Sequence, residues 1–254
     1  MWFALAWLLS ATASAALPLP EEPGELTLGA GLHYNQGNYG TDQTTRISSI
    51  VFTGRYDTGR WTLRASVPYL RVTGRGTVIP GVGRVRDTPL LETRTSGFGD
   101  PVLSATYEAY SNPKLRLGVD VTGRIKLATG KPEQQLSTGE HDLGFQLDVF
   151  KTFDQVTLFA SIGYTIFGST PVSPLDNVFN YSLGGTLRLN ERDSVGLSFD
   201  EREPVVSGGP WQQELTLFGS RRLEAGWRAQ TYFLLGLAEG SPDWGVGVSL
   251  ARPF

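Results

Sequence analysis

Three features of this sequence predict one fold class: all-β, a twelve-stranded antiparallel up-and-down transmembrane β-barrel. Apolar and polar residues alternate with period two through most of the 254 positions, as strands with two unlike faces require. The connections alternate short and long without exception, the habit of outer-membrane barrels, which have short periplasmic turns and longer outer loops. Most alternating segments match or exceed the roughly 9–11 residues that a tilted strand needs to cross a bilayer, whereas soluble strands average about 5–6.

Taken in order, the chain first shows the apolar run Met1 to Leu9 and then Ala13-Ser14-Ala15, a small-x-small cleavage pattern. Residues 1–15 are expected to be a signal peptide, because the run is far short of the roughly 20 apolar residues of a spanning helix. Residues 16–25, stiffened by Pro18, Pro20 and Pro23, form a periplasmic entry segment, and the barrel occupies 26–254.

Leu26, Leu28, Ala30, Leu32 and Tyr34 open the first strand on one face, with Thr27, Gly29, Gly31 and His33 on the other. A loop near 35–44 leads to strands at 45–56 and 60–72, joined by the tight turn Asp57-Thr58-Gly59. The long loop 73–97 precedes strands at 98–110 and 114–127 around Ser111-Asn112-Pro113. In 115–127, Leu117, Val119 and Val121 share one face while Asp120, Thr122 and Arg124 share the other; helical spacing would scatter these charges. Further pairs fall at 140–152 and 156–168, 177–189 and 193–203, and 211–223 and 226–238, with a last strand at 243–254. Asn, Asp, Gly and Pro concentrate in the connections, where turn geometry favours them.

Composition narrows the function classes. The chain has no Cys, so disulfide frameworks, thiolate metal sites and cysteine nucleophiles are excluded. With 22 basic and 25 acidic residues it has no basic field for nucleic acid. Charged residues make up only 19%, below the roughly 25% of soluble domains.

The apolar face is assigned to lipid. Tyr56, Trp61, Trp227 and Phe254 are expected near the periplasmic edge, and Tyr34, Tyr69, Tyr164, Phe179 and Trp244 near the outer edge, as two aromatic girdles. The expected partners are outer-membrane lipid, lipopolysaccharide at the outer loops and the barrel-assembly machinery, which would read the last strand ending in Phe254.

The opposite face carries the candidate lumen residues. Its cations include Arg64, Arg116, Arg124, Lys126, Arg188, Arg222 and Arg228, with Arg55 and Arg202 in phase. Its acids include Glu108, Asp120, Asp148, Asp200 and Glu214, with Asp142 in phase. Two readings stand side by side: cross-strand pairing that fills a narrow lumen, or a basic track that selects solutes. Loop 73–97, with Val78, Ile79 and Val82 around the turn Pro80-Gly81, could fold inward, lie outside, or extend the strands above the membrane.

Enzyme motifs give little. His33 and His141 are the only histidines, and in Glu140-His141-Asp142 neighbouring strand residues face opposite ways. Gly29-Ala30-Gly31 and Gly245-Val246-Gly247 lack a following helix and read as barrel wall rather than nucleotide loops. No catalytic residue, metal site or cofactor is expected.

Gly97-Phe98-Gly99-Asp100-Pro101, Ala128-Thr129-Gly130, Thr138-Gly139 with Asp142-Leu143-Gly144, and Ile162-Gly163-Tyr164 are similar to the outer-membrane family named after a phenol-degradation (meta-cleavage) pathway. The resemblance covers about 97–168, with Ala128 where the family usually has Pro. It implies a barrel and a transport role for aromatic or other hydrophobic compounds, and transfers no site residue. The expectation is an outer-membrane channel or transporter for small solutes. The alternatives are a non-conducting structural or envelope-assembly barrel and, third, an outer-membrane hydrolase.

Overall fold

The computed structural model describes residues 24–74, 78–85, 93–169 and 174–254. The signal peptide expected at 1–15 and nearly all of the entry segment expected at 16–25 lie outside these residues. Three long strands come first: β1 (Glu25–Gly37), β2 (Thr45–Thr58) and β3 (Trp61–Gly74). Two very short ones follow, β4 (Val78–Ile79) and β5 (Gly83–Arg84). Next are β6 (Thr93–Phe98), β7 (Val102–Asn112), β8 (Leu117–Lys126), β9 (Asp142–Phe153) and β10 (Val156–Ile166). The chain continues through β11 (Val178–Arg188), β12 (Asp193–Arg202), β13 (Gln212–Arg222), β14 (Arg228–Gly236) and β15 (Trp244–Pro253).

Each long strand pairs antiparallel with its sequence neighbours, and β15 pairs with β1, so the sheet closes. β6 and β7 both pair with β3 and together form the fourth wall strand, which makes a closed twelve-stranded barrel. Closure satisfies the backbone without an edge, the condition for strands to span a bilayer. It reaches the last residue, where the Phe254 N–H donates to the Leu26 carbonyl at 2.7 Å.

The faces follow the alternation. Leu28, Leu32, Phe52, Phe145, Leu183 and Leu217 are exposed on the outside, Leu183 to 64%. His33, Asn35, Gln146, Asp148, Glu214 and Thr216 are buried on the inside. Aromatic rings pair on the outer surface near the long loops: Tyr34 with Trp244 at 5.3 Å, Tyr69 with Phe98 at 5.3 Å and Tyr164 with Phe179 at 4.7 Å. At the opposite end Trp61 meets Tyr107 at 4.9 Å, and Arg252 lies over both Trp227 and Phe254.

Two expectations change. The fourth wall strand, read as continuous over 98–110, is broken at Gly99-Asp100-Pro101. Pro101 has no N–H for the ladder, and the Asp100 carboxylate turns to accept amides from the loop after β8. Arg116, read as a lumen-wall residue, sits in the turn before β8 with φ 49°, and its side chain is half exposed beside Asp154. A tight hairpin needs left-handed residues; Arg116 supplies one here, as Asp154 and Gly59 do in neighbouring turns.

Loop 73–97 resolves partly into strand extension and partly into an inward fold; its residues 75–77 and 86–92 lie outside the described ones. β3 and β6 pair as far as Gly74 and Thr93. Between them the β4–β5 hairpin turns into the barrel, with Val78, Ile79 and Val82 nearly inaccessible. Ile79, Val82 and Val85 cluster with Phe167, Leu175, Val178 and Val205, while Val78 joins Tyr39, Ile47, Leu70, Val72 and Leu136. This soluble-protein-like core inside the outer half of the barrel explains why Ile47, Leu70 and Val72 are apolar on a face that is elsewhere polar.

Candidate functional site

The candidate site is the lumen, a cavity of about 830 Å³. Its lining runs from the periplasmic turns, at Asp154, Asn190 and Arg192, to the underside of the β4–β5 hairpin at Val78, Gly81 and Val82. The hairpin is fixed from the wall. The Arg202 guanidinium donates to the Gly81 carbonyl at 3.2 Å and also to the Val82 carbonyl. Arg84 Nη1 donates to the Gly40 carbonyl at 2.7 Å, which ties the hairpin base to the first outer loop. In that loop Tyr39 is buried; desolvation, with Glu214 and Asp243 adding negative charge, holds its phenol well above the usual range, so it stays neutral.

The predicted lumen residues separate into groups. Lys126 bonds Asp142 at 2.7 Å and approaches Asp100 at 3.5 Å. Arg124 crosses the face of Gly144, where a β-carbon would collide with it, and donates to Thr165 at 3.4 Å. Arg64 lies among the charges of Arg55, Asp57 and Asp120, and Arg55 and Asp57 form a 2.6 Å pair. Arg188 donates to the Asp154 carbonyl at 3.5 Å.

The acids mostly face acids. Asp120 stands opposite Glu108 on one neighbouring strand and opposite Asp148 on the other, a row of three carboxyl groups across β7, β8 and β9. Asp200 stands opposite Glu214 across β12 and β13. Directly opposed like charges destabilise a sheet, so other partners must hold them. Asp148 accepts from Ser161 at 2.6 Å and Gln146 at 2.9 Å, and Asp200 from Ser182 at 2.6 Å and Ser198 at 2.8 Å. Glu108 has Arg60 at 3.8 Å. Lys126 forms an ion-paired corner, while hydroxyl and amide donors, with the charges of Arg64 near Asp120 and Arg124 near Asp148, hold these rows. Arg222 and Arg228 are a like-charged rung of the opposite sign, opposed across β13 and β14.

Sequence reading missed a set of inward rings. Phe150 and Phe159 face each other across β9 and β10, and Phe218 faces Tyr232 across β13 and β14. Each phenylalanine lies flat over a glycine of the next strand: Phe150 over Gly118, Phe159 over Gly184 and Phe218 over Gly196. A β-carbon at any of these glycines would overlap the ring, so glycine is what lets the ring lie along the wall. Tyr232 and His33 share Gly247 in the same way, their rings 5.8 Å apart. The signal was present as phenylalanines in the polar phase, each opposite a glycine.

Both histidines make packing or hydrogen-bond contacts in the wall and its loops. His141 Nδ1 accepts the Ala128 N–H at 3.1 Å, and His33 packs on Tyr232. The Gly-rich motifs of 97–144 form one knot. Asp100 accepts the Thr129 and Gly130 amides at 3.0 and 2.8 Å and the Ser137 hydroxyl at 2.7 Å. They hold the loop after β8, whose Leu136 packs beneath Val78 of the hairpin.

Residues 27–201 match the profile of a protein family described as "Putative MetA-pathway of phenol degradation". No curated protein sequence matches the chain. Among solved structures, an outer-membrane channel from Pseudomonas putida F1 is similar with a TM-score of 0.71 at 15% identity, covering 93% of this chain and 97% of that one. The KdgM porin is similar with a TM-score of 0.53 at 8% identity, over 88% and 99% of the two chains. The β domain of the Bordetella autotransporter BrkA gives 0.54 at 12% identity, over 92% and 100%. At these identities the likeness is one of fold, that of a barrel in the bacterial outer membrane.

Proposed function

Because the chain belongs to the family described as "Putative MetA-pathway of phenol degradation", we propose that it is an outer-membrane channel for small solutes, aromatic or hydrophobic compounds among them. One observation carries the reading: the cavity of about 830 Å³ extends from the periplasmic turns to the hairpin and has ring faces along its wall. A lumen filled only for stability would place interlocking side chains there, as small barrels do. Here Phe218 lies back against Gly196 and, with Tyr232, lines the cavity instead of filling it. Aromatic surface gives small apolar solutes a place to shed water, while Arg64, Arg124, Asp142 and Glu214 in the lining keep the path wetted.

The hairpin packed under the outer mouth favours a second reading, a non-conducting barrel with an envelope role. Conductance decides between them. Detergent-folded protein inserted into planar bilayers is expected to give discrete current steps, and liposomes carrying it to take up benzyl alcohol faster than empty ones. A barrel that shows heat-modifiable gel mobility, and so is folded, yet passes neither ions nor solute would defeat the channel reading.

A further inference from the structure

We propose that the β13–β14 ribbon is a binding track for small aromatic carboxylates, in which Arg222 and Arg228 hold the carboxylate and Phe218 and Tyr232 hold the ring. This names a substrate class for the channel and rests on that reading. Three successive inward rungs of the ribbon are Arg222 with Arg228, Ser220 with Gln230, and Phe218 with Tyr232. All six residues line the one cavity. Rungs on one face are about 7 Å apart, so the basic and aromatic rungs are separated by about 14 Å of backbone. The long arginine side chains shorten that gap, and a hydroxyl and an amide occupy the middle.

The basic rung is the unusual part. Two arginines directly opposed in an antiparallel pair repel, and neither has a carboxylate partner among the described residues. Their neighbours are otherwise engaged: Arg221 takes Asp193 at 3.5 Å, and Arg188 takes the Asp154 carbonyl. An anion between the two guanidinium groups would turn repulsion into paired, charge-assisted hydrogen bonds. The carboxyl row of Glu108, Asp120 and Asp148 stands on β7, β8 and β9, about half-way round the barrel from this ribbon. The Arg222–Arg228 rung is thus the anion-attracting end of the ribbon, and the Phe218–Tyr232 rung lies two inward rungs beyond it, before Glu214. A neutral ring would lack the basic anchor, and a small anion without a ring would lack the aromatic rung.

The test uses the full detergent-folded chain with three probes: benzoate, acetate and benzyl alcohol. Calorimetric titration and block of chloride current in bilayers are read in parallel. Benzoate is expected to bind, and to block, about tenfold more tightly than either partial probe. The double variant Arg222→Gln/Arg228→Gln should weaken benzoate by about tenfold or more, and Phe218→Leu should weaken benzoate while leaving acetate unchanged. Both arginines are exposed at strand ends on the rim, so heat-modifiable mobility should confirm that the double variant folds. Benzoate binding that is indifferent to the double variant, or matched by benzyl alcohol, overturns the proposal. The two readings fail separately. Chloride current with no variant-sensitive benzoate binding removes the track and keeps the channel. Benzoate binding without any current keeps the track and removes the channel.

Discussion

The Ser137 hydroxyl donates to Asp100 Oδ2 across 2.7 Å, joining a break in the barrel wall to a loop 37 positions further along the chain. Asp100 also takes two backbone amides of that loop and lies 3.5 Å from Lys126. Asp100→Ala would leave three donors without their acceptor and one cation with a single carboxylate. Buried, charge-assisted bonds of this kind cost about 3–5 kcal/mol when one partner is removed. Urea unfolding should show that loss, and limited proteolysis should newly cut the loop between 127 and 141. Asp100→Asn, which still accepts through its carbonyl oxygen, should recover part of the stability.

The hairpin is expected to restrict current. Val82 is nearly fully buried in the apolar cluster of the outer half, and its carbonyl accepts from Arg202. Val82→Ser removes apolar contact without disturbing the Arg202 bonds, which go to backbone. Loosening this constriction should raise single-channel conductance by about twofold and increase open-state noise. Removing residues 78–84 and bridging with Gly-Ser should raise conductance further. Unchanged conductance in both variants would place the narrowest point elsewhere in the lumen.

Much of this architecture was legible because a membrane barrel writes its two faces into alternate residues. Leu26, Leu28 and Leu32 against Thr27, Gly31 and His33 gave the lipid and lumen sides of β1 directly. Contacts that depend on bringing distant strands together were not legible. Nothing local marks Asp100 as the acceptor for residues 129, 130 and 137, whereas Pro101, with no N–H for the ladder, is a local sign of the break. The opposed carboxyl groups needed register, since a shift of one residue moves Asp120 away from Asp148 and to the other face. Phe150, Phe159 and Phe218 stand in the polar phase of their strands, but only register shows that each lies against a glycine. Arg116 was misplaced because a left-handed turn residue breaks the count of alternation at a strand start.

Gly118 gives a way to test whether the rings lie back for the sake of the lumen. A β-carbon there would overlap the far end of the Phe150 ring. That end is free to move, so Gly118→Ala should swing the ring toward the axis instead of unfolding the barrel. A stability loss of about 1 kcal/mol, at the low end for overpacking, is expected, with a measurable drop in conductance. Gly118→Ala combined with Phe150→Leu should restore the current, because the shorter side chain no longer reaches the new methyl. If the single variant conducts normally, the Phe150 position does not limit the path.

The assignment of faces can be tested by energy as well as geometry. Leu183 is 64% exposed, in β11 between Ser182 and Gly184, and points away from the lumen. Thr186, on the same strand, lines the cavity. An arginine on the lipid face costs about 2–4 kcal/mol near the bilayer midplane, whereas the lumen face tolerates charge. Leu183→Arg should therefore lower the free energy of folding into lipid vesicles by about that amount, and Thr186→Arg by much less. In detergent micelles the gap between the two variants should shrink, because a micelle deforms to let water reach the guanidinium. A larger cost for Thr186→Arg than for Leu183→Arg in vesicles would mean that the β11 faces are reversed, and with them the side on which every proposed lumen residue lies.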